Sequence, residues 1–407
     1  MAEVRDFASY ADKLNNGNGR GKSDSGLSYK EKIRNHRLKV FARTVSVTVS
    51  AIIIISIIYI GWRDRRYDEA VISDIATITN GYDSKVLSLG SNIIQYSKDG
   101  VSCIDSSGQK VWNQTYEMQS PIARTCADVV AVGDYNGHSI YVSNSSGSLG
   151  EIDTNLPIRD FCVASQGVVA AVLDGTNVTW IYLYDAKGNT LANFKTTMRD
   201  SGYPIAVSLS PNGELLCVSY LFPEDGELKS RVAFFNFGSV GQNSIDNYVS
   251  GYDYPGVVVP YVQFMNGSAS FAVSDDRLMF YYGDQKPMSQ SDSFTGDEEI
   301  EAVYFNESYM GLVFPNSTSD GAYRLVVYND HGENILTTYF DMEYSEIIFN
   351  NKQIIIYNEY NCRILDMDGN LKFEGDFTKP VTKMIPTGTR DKFTLVTSTV
   401  IQTMNLK

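Results

Sequence analysis

The chain is poor in the residues that most often carry chemistry. Its 407 residues include three histidines, His36, His138 and His331. None has a partner at ligand spacing, and His138 and His331 sit in turn-forming stretches where solvated imidazoles are common. No G-x-S-x-G elbow is present, so a serine-histidine triad lacks its usual nucleophile turn. The five cysteines, Cys103, Cys126, Cys162, Cys217 and Cys362, form no C-x-x-C and no adjacent pair. An odd, scattered set is a poor disulfide framework and a poor zinc or redox site, and these thiols read as small buried hydrophobes. Tryptophan is limited to Trp62, Trp112 and Trp180. Positive charge is scarce beyond residue 66, where 21 Lys/Arg face 42 Asp/Glu. A body this acidic repels phosphate backbones, which argues against nucleic acid as a partner. No long 3.6-residue periodicity occurs in that part either.

The N-terminal region has the opposite character. Residues 1–43 hold ten Lys/Arg and five Asp/Glu, a net charge of +5. Residues 1–27 are polar and low in complexity, which predicts disorder, and 28–43 predict a basic helix. Residues 44–62 then carry no charge and centre on Ala51-Ile52-Ile53-Ile54-Ile55-Ser56-Ile57-Ile58. At about 1.5 Å per residue this run crosses a hydrocarbon core about 30 Å thick. It is too long for a signal-peptide core, follows too long a tail, and has no A-x-A site after it. The reading is an uncleaved signal anchor. Ten basic residues before the span, against Arg63, Arg65 and Arg66 after it, keep the N-terminus cytosolic and export the C-terminal body.

The remainder reads as all-β. Apolar runs such as Val129-Val130-Ala131-Val132, Trp180-Ile181-Tyr182-Leu183-Tyr184 and Ile354-Ile355-Ile356-Tyr357 alternate with turn signals. Five times an Asp or Asn precedes Gly by three residues just after such a run: Asp105/Gly108, Asn144/Gly147, Asp185/Gly188, Asn329/Gly332 and Asp366/Gly369. The acid or amide hydrogen-bonds the backbone ahead of it, and Gly takes the left-handed position. A period of about 40 residues means a solenoid or propeller. Equivalent turns fall near 105, 144, 185, 238, 283, 329, 366 and 404, giving eight units, with seven as the alternative. The last unit lacks its outer strand, and residues 70–79 are the candidate to supply it and close the ring.

The run Cys103-Ile104-Asp105-Ser106-Ser107-Gly108-Gln109-Lys110-Val111-Trp112 resembles the repeat of quinoprotein-type and WD40-like β-propellers. Ala192, Leu336 and Phe373 replace the Trp in three other units. The adjacent Cys pair of some quinoprotein enzymes is absent. A basic tail, one helix and a lone propeller together resemble a "domain of unknown function" family of membrane-anchored propellers from Gram-positive anaerobes. That resemblance implies a cell-surface location and no assigned activity.

The expected organisation is therefore a basic tail over 1–43, a transmembrane anchor over 44–62, a linker over 63–69 and an extracellular β-propeller over 70–407. Partners are the lipid bilayer, through 44–62, and an extracellular protein or glycan. The function expected is a non-enzymatic surface scaffold. An accessory subunit of an envelope complex and a quinone- or metal-dependent enzyme are the alternatives. No catalytic, cofactor-binding or metal-binding residue is assigned, and no cofactor is expected. The acidic stretch 292–301 and the segment Asp366-Met367-Asp368-Gly369-Asn370 read as a solvated loop and a satisfied hairpin.

Overall fold

The structure is a computed structural model that describes residues 29–63, 65–78, 83–198, 201–224, 226–296 and 298–407. The tail 1–28 lies outside the described residues, as do Asp297, Thr79 and the side chain of Trp62. The chain forms two compact units, Met1–Arg65 and Arg66–Lys407.

Among the described residues the first unit is one helix, Tyr29–Arg63. The basic segment and the apolar span are thus a single element. Its stretch Ile33–Tyr59 is long and apolar enough to cross a membrane. Within it the hydroxyls of Thr44 and Thr48 donate to the carbonyls of Val40 and Thr44, at 3.0 and 2.9 Å. A hydroxyl bonded to its own helix leaves no unmet donor for lipid.

The second unit is an eight-bladed β-propeller of four-stranded antiparallel sheets. Blades 1 to 7 span residues 85–115, 121–153, 158–196, 203–255, 261–294, 302–340 and 346–376. Each is built in chain order from an inner strand to an outer strand. Blade 8 takes three strands from 381–406, and its outer strand is Ala70–Thr77, paired antiparallel with Val400–Leu406. The register runs from Ala70↔Leu406 to Thr77↔Val400. The two ends of the ring are stitched further: Lys407 N donates to Glu69 O at 2.8 Å, and Asp68 N donates to Lys407 O at 3.1 Å. Position 404 therefore lies inside a strand rather than at a turn, because the turn that would follow is replaced by the chain's other end.

The Asp/Asn-x-x-Gly hairpins join the third and fourth strands of blades 1, 3, 6 and 7. Asp105 Oδ1 accepts from Ser107 N and Gln109 N, both at 2.9 Å, and Asp185 Oδ1 accepts from Lys187 N and Asn189 N at 2.9 Å. Asn329 and Asp366 repeat the pattern. The same bulge follows in each outer strand, as where Cys103↔Trp112 is succeeded by Ile104↔Lys110. The Asn144/Gly147 copy differs. There Asn144 pairs directly with Gly147, leaving a two-residue loop.

The glycine has a second duty. Gly108 has φ +86°, and a Cβ on it would lie 2.2 Å from Cβ of Ala76 in the closing strand. Gly332 has φ +81°, and its Cβ would lie 2.2 Å from Oγ of Ser291 in blade 5. The hairpin of one blade is thus pressed against the outer strand of the blade before it. Trp112 makes the link in the same place, donating from Nε1 to the Asn144 carbonyl of blade 2 at 2.9 Å. Between blades the sheet faces bury Val, Ile, Leu and aromatic side chains, among them Phe161, Phe234 and Tyr281. Each such side chain contributes about 1.5–3 kcal/mol by leaving water.

Hairpin acids give the ring a pH dependence. The Ser107 hydroxyl, with backbone N–H groups, holds the Asp105 carboxyl below its ordinary value, and the Asn189 amide does the same for Asp185. A folded value below the unfolded one adds stability that is complete above the unfolded value, near about pH 4, and lost as pH falls through the folded value. Melting temperatures followed down through that range are expected to fall less steeply for Asp105→Asn/Asp185→Asn than for the parent. Equal slopes would contradict the assignment.

Candidate functional site

Blade 4 departs most from the repeat. Its two central strands, Leu215–Glu224 and Glu227–Asn236, have ten residues each. Its hairpin motif is replaced by a loop with two 3-10 turns, Gly241–Asn243 and Ile245–Asn247. Asp246 and Asn247 hold φ +54° and +60° there, and Ile245 is 89% exposed. Left-handed conformations at two consecutive non-glycine residues cost free energy that the surrounding structure must offset.

Among the described residues, three cavities are lined in part by blade 4. The largest of these, about 690 Å³, sits where the inner strands of blades 1 to 6 converge. Arg124 of blade 2 crosses to Asp160 of blade 3 on its wall, NH2 to Oδ1, at 2.9 Å. Ser208 Oγ accepts from Phe264 N at 2.9 Å, tying blade 4 to blade 5 at the same wall. Cys126 and Cys162 also line it. Burial pushes both thiols up, assisted at Cys126 by the Glu307 charge and at Cys162 by Asp160. These thiols are therefore protonated at neutral pH and are poor nucleophiles.

A second cavity, about 230 Å³, shares Asp160, Ile205 and Ala206 with the first, so the two adjoin. Tyr135, Arg159 and Tyr203 complete its polar lining. Arg159 is fixed in place. Its Nε and NH2 donate to Asp174 Oδ2 at 2.8 and 2.7 Å, and its NH1 donates to Asn136 Oδ1 at 2.8 Å. Its guanidinium carbon lies 5.9 Å from the centroid of the Tyr135 ring. The third cavity, about 350 Å³, is a groove between blades 3 and 4 floored by Phe194 and Phe235, whose rings stack at 4.6 Å. Ile245 and Tyr248 form its rim.

Apart from Cys126 and Cys162, the residues singled out in the sequence lie away from these cavities. All five cysteines are free, and Cys103, Cys217 and Cys362 are buried in blade interiors. His138 Nδ1 lies 2.8 Å from the Thr154 carbonyl. His331 pairs with Asp330 and stacks on Tyr282 at 4.8 Å. In the stretch 292–301, Glu298 pairs with Arg324, and Tyr344 donates to Glu301 at 3.0 Å. Asp366 is a hairpin acid whose charge meets Lys372 at 2.9 Å. Burial alone would raise its carboxyl, but hydrogen bonds from Lys372 and Asn370 outweigh burial and hold it below the ordinary value. No group of three or more His, Cys, Asp or Glu that could hold a metal occurs among the described residues. The cavity residues were not visible in the sequence, because Tyr135, Arg159, Asp160 and Tyr203 come from three blades and share no motif.

Residues 63–406 match the Family of unknown function (DUF5711). The chain belongs to that family. The match begins at the end of the helix and takes in the whole ring, so the propeller is the shared part of the family. No curated protein sequence matches the chain. Among solved structures, the C-terminal WD40 domain of Sif2 is similar with a TM-score of 0.53 at 10% identity, covering 83% of this chain and 99% of that one. Sqt1 from Chaetomium thermophilum gives 0.51 at 12% identity, covering 82% and 98%. BamB from Moraxella catarrhalis gives 0.48 at 11% identity, covering 82% and 100%. At such identities the likeness is one of fold.

Proposed function

We propose that this member of the family is a non-enzymatic scaffold, anchored by its N-terminal helix, that holds a protein or glycan partner outside the cell. The observation that carries the reading is the convergence of irregularity on blade 4. Blade 4 combines a lengthened central hairpin, a loop with two consecutive left-handed residues and parts of the walls of three cavities, whereas blades 1, 3, 6 and 7 keep the hairpin motif. Insertions in single repeats commonly mark a binding face. Support against an enzyme comes from the groups around the largest cavity: its thiols are pushed toward the protonated form, and Arg124 and Asp160 neutralise each other. Support for the anchor comes from the uncharged run 44–62 within a helix long and apolar enough to cross a membrane, and from the charge bias across it.

Photo-crosslinking in intact cells tests this. A crosslinker at Leu228, 53% exposed on the blade 4 hairpin, is expected to capture a discrete partner, and one at Val111, 47% exposed on blade 1, is not. Capture from neither position, or equally from both, would contradict the role given to blade 4. Ile245→Cys is expected to react with a membrane-impermeant thiol reagent on intact cells. Reaction only after lysis would overturn the external placement.

A further inference from the structure

We propose that the 230 Å³ cavity bounded by Tyr135, Arg159, Asp160 and Tyr203 is a saccharide subsite that takes one pyranose ring of gluco configuration. The inference rests on reading the ring as a binding scaffold and names the ligand class of one of its sites. Size sets the first limit. Drug-sized ligands occupy about 300–1,000 Å³, so this cavity suits a single ring-sized group rather than a peptide segment.

The lining chemistry sets the second. A pyranose offers two unlike surfaces, an apolar C–H face and an equatorial rim of hydroxyls that donate and accept. Two tyrosines border the cavity, and an aromatic ring presents a flat apolar face with a partial negative charge that attracts polarised C–H groups. In β-linked gluco sugars every ring C–H is axial, so both faces of the sugar are available for such stacking. Tyr135 is 40% exposed, which leaves its ring open to a ligand.

The polar groups match the rim. Asp160 Oδ1 already accepts from Arg124 NH2 and from Phe161 N, both at 2.9 Å. Asp160 Oδ2 takes no hydrogen bond from the described residues, so one carboxylate oxygen remains to accept from sugar hydroxyls. Arg159 is held by Asp174 and Asn136 and can turn little, and its NH1 also donates to Tyr135 Oη at 3.3 Å. A planar donor fixed beside an aromatic ring is pre-organised, which lowers the ordering cost of binding. The charges nearly cancel: Arg124 with Asp160, and Arg159 with Asp174. A site without net charge favours a neutral ligand over a phosphate or a polyanion. Asp160, Ile205 and Ala206 are shared with the 690 Å³ cavity, so a sugar linked to the bound ring has space to continue inward.

The experiment uses the full chain in detergent with cellobiose and chitobiose as probes, read by saturation-transfer NMR. Saturable binding at millimolar concentration is expected. Tyr135→Ala and Tyr203→Ala are each expected to weaken it about tenfold or more, and Tyr135→Phe, which keeps the stacking face, is expected to retain most of the affinity. Asp160→Asn is expected to weaken binding without abolishing it. Melting temperatures of the variants separate lost binding from lost folding. Failure of both sugars to bind, or binding unchanged in Tyr203→Ala, would overturn the assignment. If the sugars fail while the Leu228 crosslink persists, only the saccharide assignment falls. If the crosslink disappears in Tyr135→Ala/Tyr203→Ala and no sugar binds, the cavity belongs to the protein partner and the saccharide assignment is wrong. Failure of both sugars and of the crosslink would remove the scaffold reading as well.

Discussion

A chain cut to residues 78–407 is expected to lose the cooperative fold that residues 66–407 keep. The twelve residues removed include the outer strand of blade 8 and its seven registered pairs with Val400–Leu406. They include Tyr67, Ala70 and Ile72, which pack on the cluster of Tyr357, Met384 and Met404. Each lost backbone hydrogen bond costs about 1 kcal/mol, and the apolar burial adds several more. A loss of that size is comparable with the whole stability of an ordinary domain, about 5–15 kcal/mol. The strand Val400–Leu406 would also become a bare edge, which recruits other chains. Melting followed by circular dichroism, together with size-exclusion chromatography, reads both effects. The shortened chain should aggregate or melt at least about 10 °C lower. Equal melting of the two chains would mean that the ring does not depend on its N-terminal strand.

The second large effect is expected at Gly108. Valine there must adopt φ +86° and place its Cβ where Ala76 Cβ already stands, 2.2 Å away. Left-handed backbone at a β-branched residue costs about 1–3 kcal/mol, and overpacking adds about 1–3 kcal/mol. Gly108→Val should therefore destabilise by about 3–5 kcal/mol. The two components separate in a cycle with Ala76→Gly, which empties the contested space but leaves the backbone strained. Gly108→Val/Ala76→Gly should recover part of the loss, and denaturant titrations measure how much. No recovery would mean that the hairpin of blade 1 does not press on the closing strand.

Architecture was legible because it repeats. The four hairpins at Asp105, Asp185, Asn329 and Asp366 need the same acceptor and the same left-handed glycine, so the sequence shows them at regular spacing. Blades 4 and 5 lost that signal at 238 and 283, and only the 144-residue interval between Asp185 and Asn329 marked their places. The closing strand was visible as an apolar segment ahead of the first unit and an unfinished unit at the end. Position 404 misled because counting by period assumes that every unit turns, and the last one ends in a strand. The Asn144 loop misled because Asn with Gly three residues on also suits a two-residue hairpin, and only pairing decides between them.

The site was not legible. Tyr135 lies in a blade 2 loop, Arg159 and Asp160 on the inner strand of blade 3, and Tyr203 at the start of blade 4. Packing of three successive blades brings them to one cavity, and each looks ordinary in its own stretch. The lengthened blade 4 strands left a faint trace, an interval without the hairpin motif, but a missing motif does not say what replaced it.

Closure of the ring is most directly tested by a disulfide between its ends. Ser73 and Thr403 face each other in the pairing of the closing strand with Val400–Leu406. Paired strands bring Cα atoms to about 4.5–5.5 Å, within disulfide reach. In Ser73→Cys/Thr403→Cys, mild oxidation should link the ends in nearly every folded molecule, seen as a mobility shift on a non-reducing gel. The out-of-register pair Val71→Cys/Thr403→Cys should not link. Linkage of the out-of-register pair alone, or of neither pair in folded protein, would contradict the closed eight-bladed ring.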